Sequence, residues 1–579
     1  APGSHDALDW WAASPDGGHV AIGVSGGGSE QSVLHIVNTA TGALTPEIIT
    51  RARFGGVSWL PDGSGLFYTR QPDVPLDSDA AEENLICWFH KLGTDPATDI
   101  KVMGRGLSPV VPVAAIDDPY VAATPGSSLA IGTIVSGVQN ELTVYSSPLA
   151  ACAAGHPDWT PICSPTDGVT NLAIRGDDIY LLTHKHAPHY KILKTSALRP
   201  EIANAVEVVA ASGSIIRALV AARDALYILD LDMGLAGLRR LAPDGSITKI
   251  DLPFAGAIDP ETFYADTLHD GAWFFLEGWV HPTVVCYVGA NGIVTQTDIA
   301  PKPPIDTSPY TSLETAVTAR DGVKIPLSII YPRNFKRDGS APVLLWAYGA
   351  YGISEDPAFL ARWLPFLDRG GAFAVAHVRG GGELGEDWHL AGQKLNKYHT
   401  WQDDIDCAEA LIRTHWTSKK HLAIIGGSAG GITVGRFMTE RPDLAAVVID
   451  EVGSSDTLRQ EFSSNGPPNI PEFGSVTTRE GFIGLRAMDS YQHVHNGVKY
   501  PSVLLTTGLN DPRVASWQPT KMTARLQAAT ASKNPVLLRV ALDAGHGMGS
   551  TRGQQDRETA DIIAFVLWRT GDPRFQPPR

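Results

Sequence analysis

Three residues in the last third of the chain have the types and spacing of nucleophilic acyl chemistry. Ser428 stands in HLAIIGGSAGGITVGRF, where an apolar run meets a helical pattern. Gly426, Ser428 and Gly430 fit G-x-S-x-G, in which small neighbours let the backbone turn sharply, expose the serine Oγ and admit a substrate. The N–H of Ala429 would face an oxyanion, helped by the N–H groups of the first helical turn. Asp511, in PSVLLTTGLNDPRV, follows a strand-like run, where a carboxylate can orient an imidazole. His546, in DAGHGMG, lies in a glycine-framed loop after VLLRVAL. A serine that attacks a carbonyl needs a neutral histidine to take its proton and an aspartate to hold the tautomer. Taken singly, an Asp after a strand is a turn cap and a His is a packing residue; the ordered set Ser428, Asp511, His546 carries the reading. Asn510 is a weaker candidate than Asp511, because an amide lacks the charge. A phosphate loop fits worse, since no G-K-[ST] follows the glycines.

These residues need a scaffold that brings distant segments together. From about residue 309, apolar strand candidates such as VLLWAYGAYG, AFAVAHVRG, LAIIGG, AAVVID and PSVLLTTG alternate with helical stretches such as WQDDIDCAEALIRTHW. That alternation predicts a mostly parallel sheet covered on both faces, and ETADIIAFVLWRTG predicts a closing helix. The order Ser, Asp, His along such a sheet is that of an α/β-hydrolase. The first 300 or so residues read differently. Short strand-like runs (HVAIGVSG, GLFYTR, ELTVYSS, DIYLLTH) are punctuated by SPDGG, LPDGSG and APDGS, where Pro presets φ and Gly accepts a positive one. Strand pairs and turns repeated about every 40 residues or more predict propeller blades. The chain thus divides into a propeller at 1–308 and a catalytic α/β domain at 309–579.

Composition narrows the partners. The 579 residues include 62 acidic and 46 basic side chains, for a net charge of −16, which disfavours nucleic acid or an anionic membrane surface as main partner. No apolar run reaches the ~18 residues of a membrane span. The opening APGSHDALDW has no signal-peptide pattern, though a removed one leaves no trace. The expected compartment is cytoplasm or periplasm. Five cysteines do not make a disulfide scaffold; Cys152 and Cys163 flank a short loop and either bridge in an oxidising compartment or stay as two thiols. No H-E-x-x-H occurs, His493 and His495 in YQHVHNG would alternate on a strand without a ligand set around them, and neither metal nor cofactor is implied.

With these residues in place, the sequence resembles the prolyl oligopeptidase family of serine peptidases over almost its whole length. WAYGAYGISEDP, VRGGGELGEDWHLAG, GGSAGG, NDPRV and AGHG carry the resemblance, in that order. It implies a seven-bladed β-propeller followed by an α/β-hydrolase domain, with Ser428, Asp511 and His546 as the triad. It implies that Tyr348 joins the Ala429 N–H in the oxyanion hole. Arg513 would bind a substrate carbonyl, Val514 would line the pocket beside it, and the 379–385 loop would lie next to the active site. The propeller would gate access for short peptides, with no cofactor.

Two departures qualify that expectation. Where family members carry a tryptophan that stacks on the substrate proline, GPPNIPEFGSV places Asn469, and an amide offers no aromatic face; Phe473 or Phe462 are the nearby substitutes. The N-terminal segment that precedes the propeller in the family has no counterpart in DWWAASPDGGHVAIGV, which leaves room for a separate segment or chain as partner and the oligomeric state open. The expected activity is hydrolysis of short peptides with a relaxed or altered preference at P1. The rivals are an esterase or acylaminoacyl peptidase using the same triad, and a non-catalytic scaffold, which would have no need for all three residues.

Overall fold

The computed structural model describes residues 5–53, 56–76, 78–547 and 550–577. The chain divides into two compact units, one holding residues 1–26, 30–276 and 284–301, the other 27–29, 277–283 and 302–579.

The first unit is built of antiparallel meanders in sequence order. Five sheets of four strands begin at Asp6, Ser58, Asp117, Val169 and Ile215, and a three-stranded sheet begins at Ala272. The propeller therefore has six blades among the described residues, not the seven implied by the family resemblance. The Pro-Asp-Gly turns could not have counted them. All three close with the same hydrogen bond, from Gly17 to Ser14, Gly63 to Leu60 and Gly245 to Ala242, each glycine at positive φ. Yet the first two join strands one and two of their blades, while the third joins strands three and four. The signal marks a hairpin, not a blade boundary.

Apolar side chains on alternate positions of each strand pack in clusters between neighbouring sheets. Cys152 packs in one such cluster with Phe67 and Trp159, Cys163 in the next with Ile131 and Leu181. Lying in separate layers, the two carry free thiols, and the bridge alternative falls; all five cysteines are buried and free.

The second unit is a single mixed sheet. Its strands, numbered within this unit, are β1 Tyr310–Thr318, β2 Lys324–Pro332, β3 Val343–Ala347, β4 Ala372–Ala376, β5 Leu422–Gly427, β6 Val447–Glu451, β7 Ser502–Gly508 and β8 Val536–Ala541. They lie in the order β1-β2-β4-β3-β5-β6-β7-β8. Pairing is antiparallel from β1 to β4 and parallel from β4 to β8. The central strands are buried throughout, so their sequences (AFAVA, LAIIGG, SVLLTTG) are continuous apolar or small runs. Helices α1 Tyr398–Arg413, α2 Gly430–Glu440 and α3 Trp517–Ala529 pack on one face, and α4 Arg552–Thr570 on the other. β8 is an edge strand and exposes Leu537 and Val540. No described helix is long and apolar enough to cross a membrane.

Candidate active site

β3 and β5 are parallel neighbours, but the chain leaves β3 toward β4 on one side and returns to β5 on the other. Such a reversal opens a crevice at the carboxyl ends of the strands, where open α/β sheets bind ligands. Tyr348 follows β3 directly and Ser428 follows β5 directly.

The turn at Ser428 is tight. Ser428 adopts φ +54°, a left-handed conformation uncommon outside glycine, so the serine is held off the regular strand and helix paths. Its N–H donates to the Glu451 carbonyl on β6 (2.9 Å), and its carbonyl accepts from the N–H groups of Gly431 (3.0 Å) and Ser454 (2.9 Å). Two glycines are required by the space around this turn. A Cβ on Gly426 would lie 2.8 Å from the Gly430 carbonyl, and one on Gly431 would lie 2.5 Å from the Gly453 Cα. Ala429 is buried at the head of α2, where the first N–H groups have no acceptor inside the helix and the helix dipole favours negative charge.

Asp511 and His546 arrive from the other side. Gly427, Glu451, Thr506 and Arg539 are in register across β5, β6, β7 and β8, so these strands end side by side. Asp511 follows the end of β7 and His546 the end of β8. The His546 Nδ1 and Asp511 Oδ2 are 2.8 Å apart, with the carboxylate fully buried and the imidazole nearly so. The other carboxylate oxygen accepts from the backbone N–H groups of Arg513 and Val514, both at 2.9 Å. Asp511 is thus fixed by its own loop, and its carboxylate favours the histidine tautomer with the proton on Nδ1.

The Tyr348 side chain lies close enough to Ser428 for the serine to influence its phenol. Burial, and then the nearby Glu355 carboxyl, hold its phenol well above the usual range, so it is a donor and not a phenolate. Arg513 is exposed at its side chain, and its charge acts on Tyr348 and Tyr351. Val514 is buried beside it.

Asn469 is occupied. Its Oδ1 accepts from the Tyr351 hydroxyl (2.7 Å), and its Nδ2 donates to the Asn465 carbonyl (2.6 Å). Asn465 in turn donates to the Arg513 carbonyl (3.2 Å). Of the two aromatic substitutes considered from sequence, Phe473 is buried edge-on to Tyr351 at 5.5 Å, while Phe462 is 66% exposed. Tyr351, which sequence reasoning missed, is the ring that sits between Tyr348 and Asn469. The second tyrosine of YGAYG was its only signal. Its φ of +62° turns it back toward Glu472, whose Oε1 accepts the Tyr351 N–H (3.0 Å). Glu472 also accepts from His389 (2.8 Å), and fully buried Lys397 donates to the Gly349 carbonyl.

Within the 379–385 loop, Arg379 makes a buried two-pronged bond to Asp403 (2.9 and 2.6 Å) and reaches Asp321 (2.6 Å). These bonds brace the loop against α1, which carries Asp403. His493 lies on a 3₁₀ turn with Nδ1 on the Asp489 carbonyl (2.7 Å), which removes the alternating-strand reading of His493 and His495.

Comparison with known proteins agrees along the chain. Residues 1–285 match the family model described as prolyl oligopeptidase, N-terminal beta-propeller domain, and residues 357–572 match the prolyl oligopeptidase family. The chain is 30% identical to the prolyl endopeptidase of Elizabethkingia meningoseptica over 566 residues, 95% of this chain and 77% of that protein. It is 27% identical to dipeptidyl aminopeptidase BI of Pseudoxanthomonas mexicana over 94% of this chain and 73% of that one. A solved prolyl endopeptidase superposes with a TM-score of 0.89 at 27% identity, covering 98% of this chain and 82% of the other. Prolyl oligopeptidase B of Galerina marginata superposes at 0.91 with 21% identity, over 99% and 81%, a likeness of fold.

Proposed function

The chain belongs to the prolyl oligopeptidase family of serine peptidases, and from that premise we propose that Ser428, His546 and Asp511 are its triad. The enzyme is a serine hydrolase that cleaves peptides through an acyl-enzyme. In the proposed roles, the His546 Nε2 takes the Ser428 proton as Oγ attacks the scissile carbonyl, then gives it to the leaving amine. Asp511 holds the tautomer and stabilises the imidazolium. The Tyr348 hydroxyl and the Ala429 N–H receive the oxyanion. The observation that carries this reading is the 2.8 Å Asp511–His546 hydrogen bond, formed at the carboxyl ends of strands in register with the one that ends at Ser428.

Arg513 binds a substrate carbonyl, and Val514, Asn469 and Tyr351 bound the P1 pocket. With both ends of the Asn469 amide engaged, the pocket wall is a tyrosine–amide pair in place of an indole. Such a wall supports entry of proline and other small residues with a narrowed advantage for proline, since a difference of one or two methylenes is worth about 1–3 kcal/mol.

The test is a rate panel of short N-blocked peptides with proline, alanine or phenylalanine before the cleaved bond, plus a simple ester. Proline and alanine peptides should be cleaved within about 200-fold of each other. Ser428→Ala should lower kcat by about 10⁶. Hydrolysis of the ester alone would overturn the P1 assignment, and full activity in Ser428→Ala would overturn the triad.

A further inference from the structure

A hydrogen-bonded chain of polar side chains, buried at its middle and not used by the acyl-transfer steps, starts at Trp346, two residues before Tyr348 on the same strand end. The Trp346 indole N–H on β3 donates to Glu355 Oε2 (2.8 Å), in the loop that also carries Tyr348. The Glu355 backbone N–H donates to Glu383 Oε1 (2.8 Å), and His377 Nδ1 lies 3.3 Å from that same oxygen. His377 Nε2 lies 2.8 Å from Ser328 Oγ, and Ser328 donates to Glu314, which is exposed on β1. Ser328, His377 and Glu383 are each 1% exposed, and Glu383 Oε2 is buried without a hydrogen-bond partner.

The chemistry of the donors fixes the charge of this chain. Ser328 has one hydroxyl proton and gives it to a carboxylate, so it must accept from His377 Nε2. The Nδ1 faces a carboxylate oxygen, so it too must donate. With both ring nitrogens donating, His377 is an imidazolium, paired with Glu383. The carboxyl of Glu355, held on the Trp346 indole, feels the charges of Glu383, His377 and Asp356 and in turn acts on Tyr348; among these groups only His377 is a cation, already engaged. Resting on the reading of Tyr348 as oxyanion donor, we propose that Glu355 is a positioning residue for that donor, its carboxyl setting the electrostatic environment in which Tyr348 meets the developing oxyanion.

Neutral, the Glu355 carboxyl leaves the oxyanion's stabilisation intact. Ionised, it places a negative charge beside Tyr348 and opposes the charge that forms on the carbonyl oxygen. Burial, then the Glu383 carboxylate, push Glu355 up to about 7, so the ionised form takes over as pH rises through that value. At the effective dielectric of protein interiors, such a charge should slow the chemical step about fivefold or more.

The test measures kcat and KM of the full chain on N-blocked alanyl-prolyl-p-nitroanilide from about pH 5.5 to 9.5, with fluorophosphonate titration of Ser428 to count folded enzyme. Wild-type kcat should fall about threefold or more from pH ~7, where Glu355 is half ionised, to ~9 at constant KM. Glu355→Gln, which keeps the acceptor for Trp346, should abolish that fall, and Glu355→Asp should retain it. His377→Asn removes the nearby cation and should move the fall to higher pH. An unchanged fall in Glu355→Gln overturns the inference; should that variant not fold, an unmoved midpoint in His377→Asn does so. Tyr348→Phe separates the two readings. A kcat drop of about 100-fold there, with an unaltered profile in Glu355→Gln, sinks the positioning role alone. No drop in Tyr348→Phe sinks the oxyanion reading beneath it.

Discussion

Ser428 and the Asp511–His546 pair are held by different means. The serine sits at the centre of the sheet, on a turn whose backbone is hydrogen-bonded to β6 and the segment after it, and whose glycines have no room for a methyl group. The pair sits toward the sheet's exposed edge, after β7 and β8, where Leu537, Val540 and Leu542 face solvent. There the carboxylate is held by two backbone N–H groups of its own loop and by the imidazole. A nucleophile in a strained conformation needs surroundings that over-determine it. A carboxylate and imidazole can orient each other, on loops that are themselves close-packed: a Cβ on Gly545 would collide with the Gly28 carbonyl oxygen, and the Asn510 N–H donates to the Ala544 carbonyl (3.1 Å). Both halves are close-packed; the serine adds a strained backbone, and the pair adds directed side-chain hydrogen bonds.

Three substitutions probe this contrast. Asp511→Asn should lower kcat by about 10⁴ with little change in thermal unfolding, because the amide oxygen still accepts from Arg513 and Val514 while the histidine tautomer is lost; a large fall in melting temperature would show that the carboxylate charge itself holds this half together. Gly431→Ala should destabilise the fold by about 2–4 kcal/mol, since the new Cβ meets the Gly453 Cα at 2.5 Å and backbone cannot step aside cheaply. Denaturant unfolding checks it, and a neutral result would mean that the turn is softer than its contacts imply. Leu542→Ser, 71% exposed beside the histidine loop, should change stability by no more than ~0.5 kcal/mol and leave kcat unaltered.

Legibility in the sequence follows the same division. The turn at Ser428 is legible because its requirements are local: an apolar strand, a sharp bend and a helix start, written in consecutive residues. The strands before Asp511 and His546 are legible for the same reason. The blade count is not. Pro-Asp-Gly reports a hairpin, and a hairpin occurs several times in every blade, so the expectation of seven came from family likeness, and the described residues form six. Asn469 is visible as a departure, but its bond to Tyr351 joins residues more than a hundred positions apart, and nothing in either segment announces the other.

Local order is therefore what the sequence by itself determines here: which stretches are strands or helices, where the chain must bend, and that acyl hydrolysis by a serine is the chemistry to expect. Only the tertiary structure decides which side chains share a charge environment. Ser328, Glu355, His377 and Glu383 become one network because β4 inserts between β2 and β3. Sheet order is settled by the burial of whole faces, summed over many weak contacts, and no short motif encodes that sum.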